Sequence, residues 1–295
     1  MIPEVRAALG PLALVVDADT RDVCVGGDGT VWVRGRDGFH STSLTLEDRD
    51  ARRIAVGLVE LGGGRVDDAK PTGDAALAGS VRAHVVLPPV ARHGALLSLR
   101  FPRASPVTPA DYLAADVDWS SLIESSTLVC GPTGSGKSTL VETLLGLCPP
   151  ADRIVVLEDI AELTTTHPHA AHLTTRSANA ESAGEVTLAR LVRESLRMSP
   201  DRIVVGEIRG AEIIDVLLAL TSGHLGLATV HARGLEHLPA RLTALGRVAG
   251  LEPAALAELA VAAFDTVVSC DYSAAGVRLR TGRLVRLGDN LAVES

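Results

Sequence analysis

Lysine is nearly missing from this chain. Of 28 basic residues in 295, only Lys70 and Lys137 are lysines, and the other 26 are arginines. Aromatic residues are as scarce, at 2%, so Ala, Val and Leu must fill the cores. Few rings are left on which nucleic-acid bases could stack. Positive charge is in deficit too: the net charge is −8 and the pI about 5.6. That balance argues against the broad basic face of a dedicated nucleic-acid binder. The four cysteines, Cys24, Cys130, Cys148 and Cys270, stand far apart without CxxC spacing. They point away from a disulfide framework or a zinc site and read as small buried hydrophobes in a reducing compartment. No apolar run is long enough to span a bilayer, and the N-terminus lacks a basic start followed by an apolar stretch. A cytoplasmic location is expected, with at most peripheral docking on a membrane. No internal repeat or low-complexity tract occurs.

One of the two lysines sits in the most specific stretch of the sequence, Gly131-Pro132-Thr133-Gly134-Ser135-Gly136-Lys137-Ser138-Thr139. It fits G-x-x-x-x-G-K-[ST], the spacing of a phosphate-binding P-loop. Thr127 to Cys130 before it read as a buried strand. Leu140, Val141, Leu144 and Leu145 after it recur at helical spacing, and Gly146 with Pro149-Pro150 stops that helix. Strand, glycine loop and helix are the context the motif needs. Glycines let successive N–H groups turn inward on phosphate oxygens, and the helix N-terminus adds its positive dipole end. Lys137 is expected on the β- and γ-phosphates and the Ser138 hydroxyl on Mg²⁺. A chain that uses arginine almost everywhere keeps a compact ammonium here.

Along the chain, Asp22–Val25 and Thr30–Val33 flank Gly26-Gly27-Asp28-Gly29 and predict a hairpin. Leu46, Ile54, Leu58 and Leu61 predict a helix between Thr45 and Leu61, ended by Gly62-Gly63-Gly64. Val81–Leu87 and Ala95–Phe101 are two further strands. The expected organisation is an N-terminal α+β domain at 1–104, a linker at 105–126 signalled by Pro102, Pro106 and Pro109, and a second domain at 127–295. In the second domain Ile154–Leu157, Ile203–Val205, Leu227–Val230 and Val267–Cys270 alternate with helical stretches. That alternation predicts an α/β fold with a mainly parallel sheet and its ligand beyond the strands' carboxyl ends.

A P-loop needs acidic partners on neighbouring strand tips. Ile154–Leu157 runs into Glu158-Asp159, and Ile203–Val205 runs through Gly206 into Glu207 and on to Arg209. Such carboxylates can hold Mg²⁺ through its waters or orient an attacking water. Glu158 is taken for the water and Glu207 for the Mg²⁺ shell, and the reverse assignment is also open. His224 and His231 flank the strand Leu227–Val230 and are candidates for sensing a γ-phosphate. His167, His169 and His172 lie in a Thr/Pro loop without acids or Cys at ligand spacing, which disfavours a metal.

These residues together resemble the secretion, or traffic, ATPases of type II and type IV secretion, which also drive type IV and Flp pili. Arg153–Leu163 is similar to that family's Asp box, and Asp201–Gly210 to its variant Walker B motif ending in glutamate. Gly223–Ala232 is similar to its His box, with the two histidines one residue closer and Arg233-Gly234 following. In the first domain Val23–Val33, Val66–Pro71 and Arg82–Pro89 look like the Flp-pilus, conjugation-associated branch found in actinobacteria. The resemblance implies a RecA-like P-loop domain and a homo-oligomeric ring of six subunits with ATP between the two domains. It also implies Mg²⁺-dependent hydrolysis that works on an inner-membrane platform protein of a pilus or secretion system, without direct nucleic-acid binding. Arg82 and Arg100 match first-domain arginines that reach the phosphates there. Two rival readings are a RecA-like nucleic-acid motor and a catalytically silent nucleotide-binding assembly factor.

Overall fold

Strict alternation of apolar and polar residues shapes the first hundred residues into an antiparallel sheet beneath two helices. The computed structural model describes residues 2–35, 38–101, 107–114, 117–176, 184–273 and 276–294. Helix α1 (Pro3–Leu9) precedes β1 (Asp22–Val25), β2 (Thr30–Gly35) and β3 (Gly38–Thr45). Helix α2 (Asp48–Leu61) then leads to β4 (Thr72–Leu77), β5 (Val81–Val86) and β6 (Leu96–Arg100). The strands are ordered β3-β2-β1-β6-β5-β4. Val23, Val31, Val33, Val85, Leu97 and Leu99 share one buried cluster with Ile54 and Leu58 of α2 and Leu9 of α1. Residues of the opposite parity, such as Trp32, Arg34, His84, Ser98 and Arg100, are exposed. Register places Arg100 between Asp22 of β1 and Arg82 of β5. The hairpin at 22–33 turns where sequence placed it. Gly29 has φ +80°, and a Cβ there would run into the Leu46 carbonyl.

The rest of the chain forms a second unit. Contacts divide the chain into Met1–Pro106 and Val107–Ser295. Pro102 and Pro106, read as linker signals, lie outside the described residues. The remainder of the expected linker folds with the second unit. It contains a 3₁₀ turn at Pro109–Asp111, the short β7 (Tyr112–Leu113) and α3 (Trp119–Glu124). Prolines pointed to a spacer, but apolar side chains decided otherwise: Tyr112 and Leu122 are buried in one cluster with Leu140 and Val141. The Tyr112 hydroxyl lies 3.2 Å from Thr143 Oγ1, and Thr143 donates to the Val107 carbonyl at 3.0 Å. Asp118 caps α3, accepting from the N–H groups of Ser120 and Ser121.

From there β8 (Thr127–Gly131), α4 (Lys137–Leu147), β9 (Ile154–Glu158) and β10 (Ala170–Thr174) follow. Next come α5 (Leu188–Ser195), β11 (Arg202–Ile208), α6 (Ile213–Thr221) and β12 (Leu225–His231). The chain closes with α7 (Leu238–Val248), α8 (Pro253–Ala263), β13 (Thr266–Ser273), β14 (Gly276–Leu287) and β15 (Asn290–Glu294). Strands β10-β9-β11-β12-β8-β13 are parallel, while β14 and β15 add an antiparallel edge. β8 and β9 are buried throughout, the mark of strands covered on both faces. Their side chains alternate between two cores. Leu128, Cys130, Val155 and Leu157 join α5 to α8, and Val129, Ile154 and Val156 join α3 and α4. Leu140, Val141, Leu144 and Leu145 of α4 are fully buried, each worth about 1.5–3 kcal/mol. All parallel strands therefore end on one edge, and the glycine loop opens there. No helix among the described residues is long and apolar enough to cross a membrane.

Candidate functional site

Where β8 leaves the sheet, the backbone must turn back through 131–136 before α4 can begin. Gly134 and Gly136 take left-handed angles of φ +76° and +97°. Gly131 is held by close approach: a Cβ there would strike Ser135 Oγ and come within 2.7 Å of the Cys270 carbonyl. Ser135 is buried, and its hydroxyl has no hydrogen-bond partner among the described residues. Lys137 opens α4, and its ammonium donates to the carbonyls of Gly131 at 2.9 Å and Pro132 at 3.0 Å. Burial pulls Lys137 below the usual lysine range. Foremost among the groups opposing that shift is Glu207, and Glu162 acts in the same sense. Pro132, Thr133 and Gly134 are exposed at the loop's tip, while Ser138 and Thr139 lie half-exposed in the first turn of α4.

Glu207 owes its position to an irregularity. The pairing of β11 with β12 slips between Val205 and Ile208, and Thr229 Oγ1 donates to the Gly206 carbonyl inside that slip. A bulge of this kind re-aims a side chain near the end of a strand. The Glu207 side chain is 27% exposed, and Arg209 donates to its Oε2 at 2.8 Å.

Glu158 behaves differently from the expectation that it polarises a water. It is 3% exposed. Its Oε1 accepts from the N–H groups of Glu162 at 2.9 Å and Leu163 at 2.8 Å. Its side chain packs over Gly206, where a Cβ would come within 2.9 Å of Cγ. A buried carboxylate engaged by two loop amides organises the loop after β9. Glu142 of α4 grips the same loop, accepting from the N–H and hydroxyl of Thr164, each at 2.8 Å. Held from both sides, the loop carries an exposed Glu162 whose charge reaches both Lys137 and Arg209. Glu162 stands four residues beyond the strand tip, where no strand-end pattern in the sequence marks it.

The two box histidines part company. His231 is level with Gly131 in the β12–β8 register, and its Nδ1 lies 3.4 Å from Thr133 Oγ1. His224 precedes the first residue of β12, at the opposite edge of the sheet, with its Nδ1 3.1 Å from Ser222 Oγ. Seven residues of extended chain span roughly 20 Å, so one strand cannot bring both to the same phosphate. His224 is thereby removed from the site. His167 is buried, with Nε2 2.9 Å from the Pro149 carbonyl and Nδ1 accepting from His169 N–H. Arg82 and Arg100 lie side by side on β5 and β6 of the first unit, and Arg100 Nε is 3.3 Å from Asp22 Oδ1.

Ser138 and Glu207 would supply a hydroxyl and a carboxylate, hard oxygen donors that suit Mg²⁺. Among the described residues no group of three or more His, Cys, Asp or Glu could hold a metal ion by itself. Phosphate and water oxygens would have to complete the shell.

Residues 119–270 match the family described as Type II/IV secretion system protein. A protein of Mycobacterium tuberculosis named for conjugal transfer is 44% identical over 290 residues, covering 91% of this chain and 82% of that protein. The type IV secretion system protein PtlH of Bordetella pertussis is 31% identical over 264 residues, 76% of each chain. Among solved structures, the ATPase DotB of Yersinia pseudotuberculosis aligns with a TM-score of 0.65 over 99% of this chain and 78% of that one. At 19% identity that likeness bears on fold alone. It agrees with the strand order above: a RecA-like P-loop domain preceded by a smaller α+β domain.

Proposed function

The chain belongs to the type II/IV secretion system protein family, and from that premise we propose that it is an ATP-hydrolysing motor of a pilus, secretion or conjugal-transfer apparatus. The observation that carries the reading is the glycine loop at the end of β8: Lys137, the only lysine of the second unit, sits at the head of α4 with its ammonium on the loop carbonyls, and Glu207, beyond the slip between β11 and β12, is the carboxylate acting most strongly on it. Backbone N–H groups of 131–136 and the start of α4 bind the phosphates, and Lys137 balances charge on the β- and γ-phosphates. A divalent cation held there would supply positive charge against the charge developing on the phosphates. Ser138 and Glu207 are the residues to hold it.

Glu162 is assigned to orient and deprotonate the attacking water, because it is exposed and its charge reaches Lys137. Glu158 holds the loop that presents it. His231, whose Nδ1 lies 3.4 Å from Thr133 Oγ1 at the tip of the glycine loop, is assigned to sensing the γ-phosphate. Arg82 and Arg100 supply permanently charged forks from the first unit. Hydrolysis cycles in a ring of six copies, peripheral at the inner face of the cell membrane, would drive a membrane-embedded platform protein.

Phosphate release from ATP tests the reading. Lys137→Ala should lower turnover at least about 100-fold, since the phosphates lose their main cation, while melting stays near wild type. Full activity in that variant would overturn the P-loop mechanism. Stimulation of turnover by DNA would point to a nucleic-acid motor instead.

A further inference from the structure

Arg209 stands just beyond the end of β11, two residues past Glu207, and its guanidinium donates to Glu207 Oε2 at 2.8 Å. Its backbone is fixed without that ion pair. Glu212 Oε1 accepts from the N–H groups of Arg209 at 2.6 Å and Gly210 at 2.7 Å, so the loop keeps its shape whichever way the guanidinium points. The arginine side chain is 55% exposed, with room to swing. Glu207 acts on it most strongly, and Asp159 and Glu162 follow. Asp159 begins the loop after β9 and is partly buried next to Glu212, which together raise its carboxyl above the usual range. The Arg209 charge opposes that shift, so it reaches Asp159 as well as Glu207.

The geometry points to Arg209 as a built-in counter-ion of Glu207, which yields that carboxylate to a divalent cation and crosses to Asp159. The inference rests on the reading of Glu207 as the metal-shell carboxylate. An unpaired Glu207 facing Lys137 would repel an incoming triphosphate. Paired with Arg209 it is neutralised, so the arginine favours binding of metal-free nucleotide. Toward a divalent cation the same arginine is a competitor for one oxygen. Its removal must therefore shift the two affinities in opposite directions. A residue that only shaped the loop would move both the same way.

Two titrations on the full-length protein decide the matter. One measures Mn²⁺ binding by electron paramagnetic resonance with a non-hydrolysable ATP analogue bound. The other measures binding of that analogue in EDTA by calorimetry. Arg209→Gln should lower the Mn²⁺ Kd about two- to five-fold, the strength of a half-exposed ion pair. It should raise the metal-free nucleotide Kd by a similar factor. Arg209→Lys, which keeps the charge but loses the fork, should fall between, and it decides the question if the glutamine variant does not fold. Asp159→Asn removes the landing place and should weaken Mn²⁺ binding. Unchanged or weaker Mn²⁺ binding in Arg209→Gln overturns the inference. Glu207→Gln separates the two levels. If it weakens Mn²⁺ binding while Arg209→Gln does nothing, only the counter-ion role fails. If Glu207→Gln leaves Mn²⁺ binding intact, the metal assignment of Glu207 fails with it.

Discussion

Two glutamates four residues apart differ in burial, and the proposed roles follow that difference. Glu158 is enclosed and accepts two loop N–H groups, whereas Glu162 is exposed. Glu158→Ala strands two amides and is expected to cost about 2–4 kcal/mol, read as a lower denaturation midpoint. Glu162→Gln should leave that midpoint unchanged and lower phosphate release about 100-fold or more. The opposite pattern would return the water-activating role to Glu158. A second residue-scale test concerns pH. Arg280 donates to Glu236 and holds its carboxyl at about 2, below its ordinary 4.5. A carboxyl with a lowered folded pKa stabilises above its unfolded pKa, and that contribution is lost as pH falls through the folded pKa. The melting difference between wild type and Glu236→Gln should therefore be steady above about pH 4.5 and close toward pH 2. Because Glu236 is 62% exposed, salt should shrink it throughout.

At the scale of elements, the loop after β9 is a bridge from the strand's tip to α4. Glu158 fixes one end, and the Glu142–Thr164 pair ties the other to the helix that starts with Lys137. Glu142→Ala should loosen the loop and raise hydrogen exchange across 159–165. It should lower kcat more than it raises KM, because α4 and the glycine loop remain intact. A change confined to KM would count against this coupling. Helices α7 and α8 meet through another close approach. At Gly246 a Cβ would fall 2.9 Å from Leu256 Cδ2, so a larger residue there should force the pair apart and cost about 1–3 kcal/mol. Sequence periodicity located α4 and the strands of the parallel sheet because buried strands flanked by Gly and Pro leave a plain pattern. It placed 105–126 in a linker because prolines are visible in sequence, while the burial of Tyr112 and Leu122 is not.

For the whole molecule, the proposed ring makes a direct prediction. Sedimentation with nucleotide bound should show a species about six times the 30.7 kDa chain. Activity per chain should fall on dilution below the assembly range, and turnover proportional to protein at all concentrations would argue for a working monomer. The net charge of −8 predicts that added DNA leaves turnover unaffected at physiological salt.

The glycine loop, its lysine, the strands on either side and the family were legible in the sequence, because each is a local pattern: a spacing, a turn residue, an apolar period. Which polar groups face one another was set by the packing of distant segments. The slip between β11 and β12 aimed Glu207, and the extended run of β12 carried His224 away from His231. Burial put Glu158 against two loop N–H groups and left Glu162 exposed. Those outcomes depend on neighbouring strands and on access to water, which no window of the sequence contains.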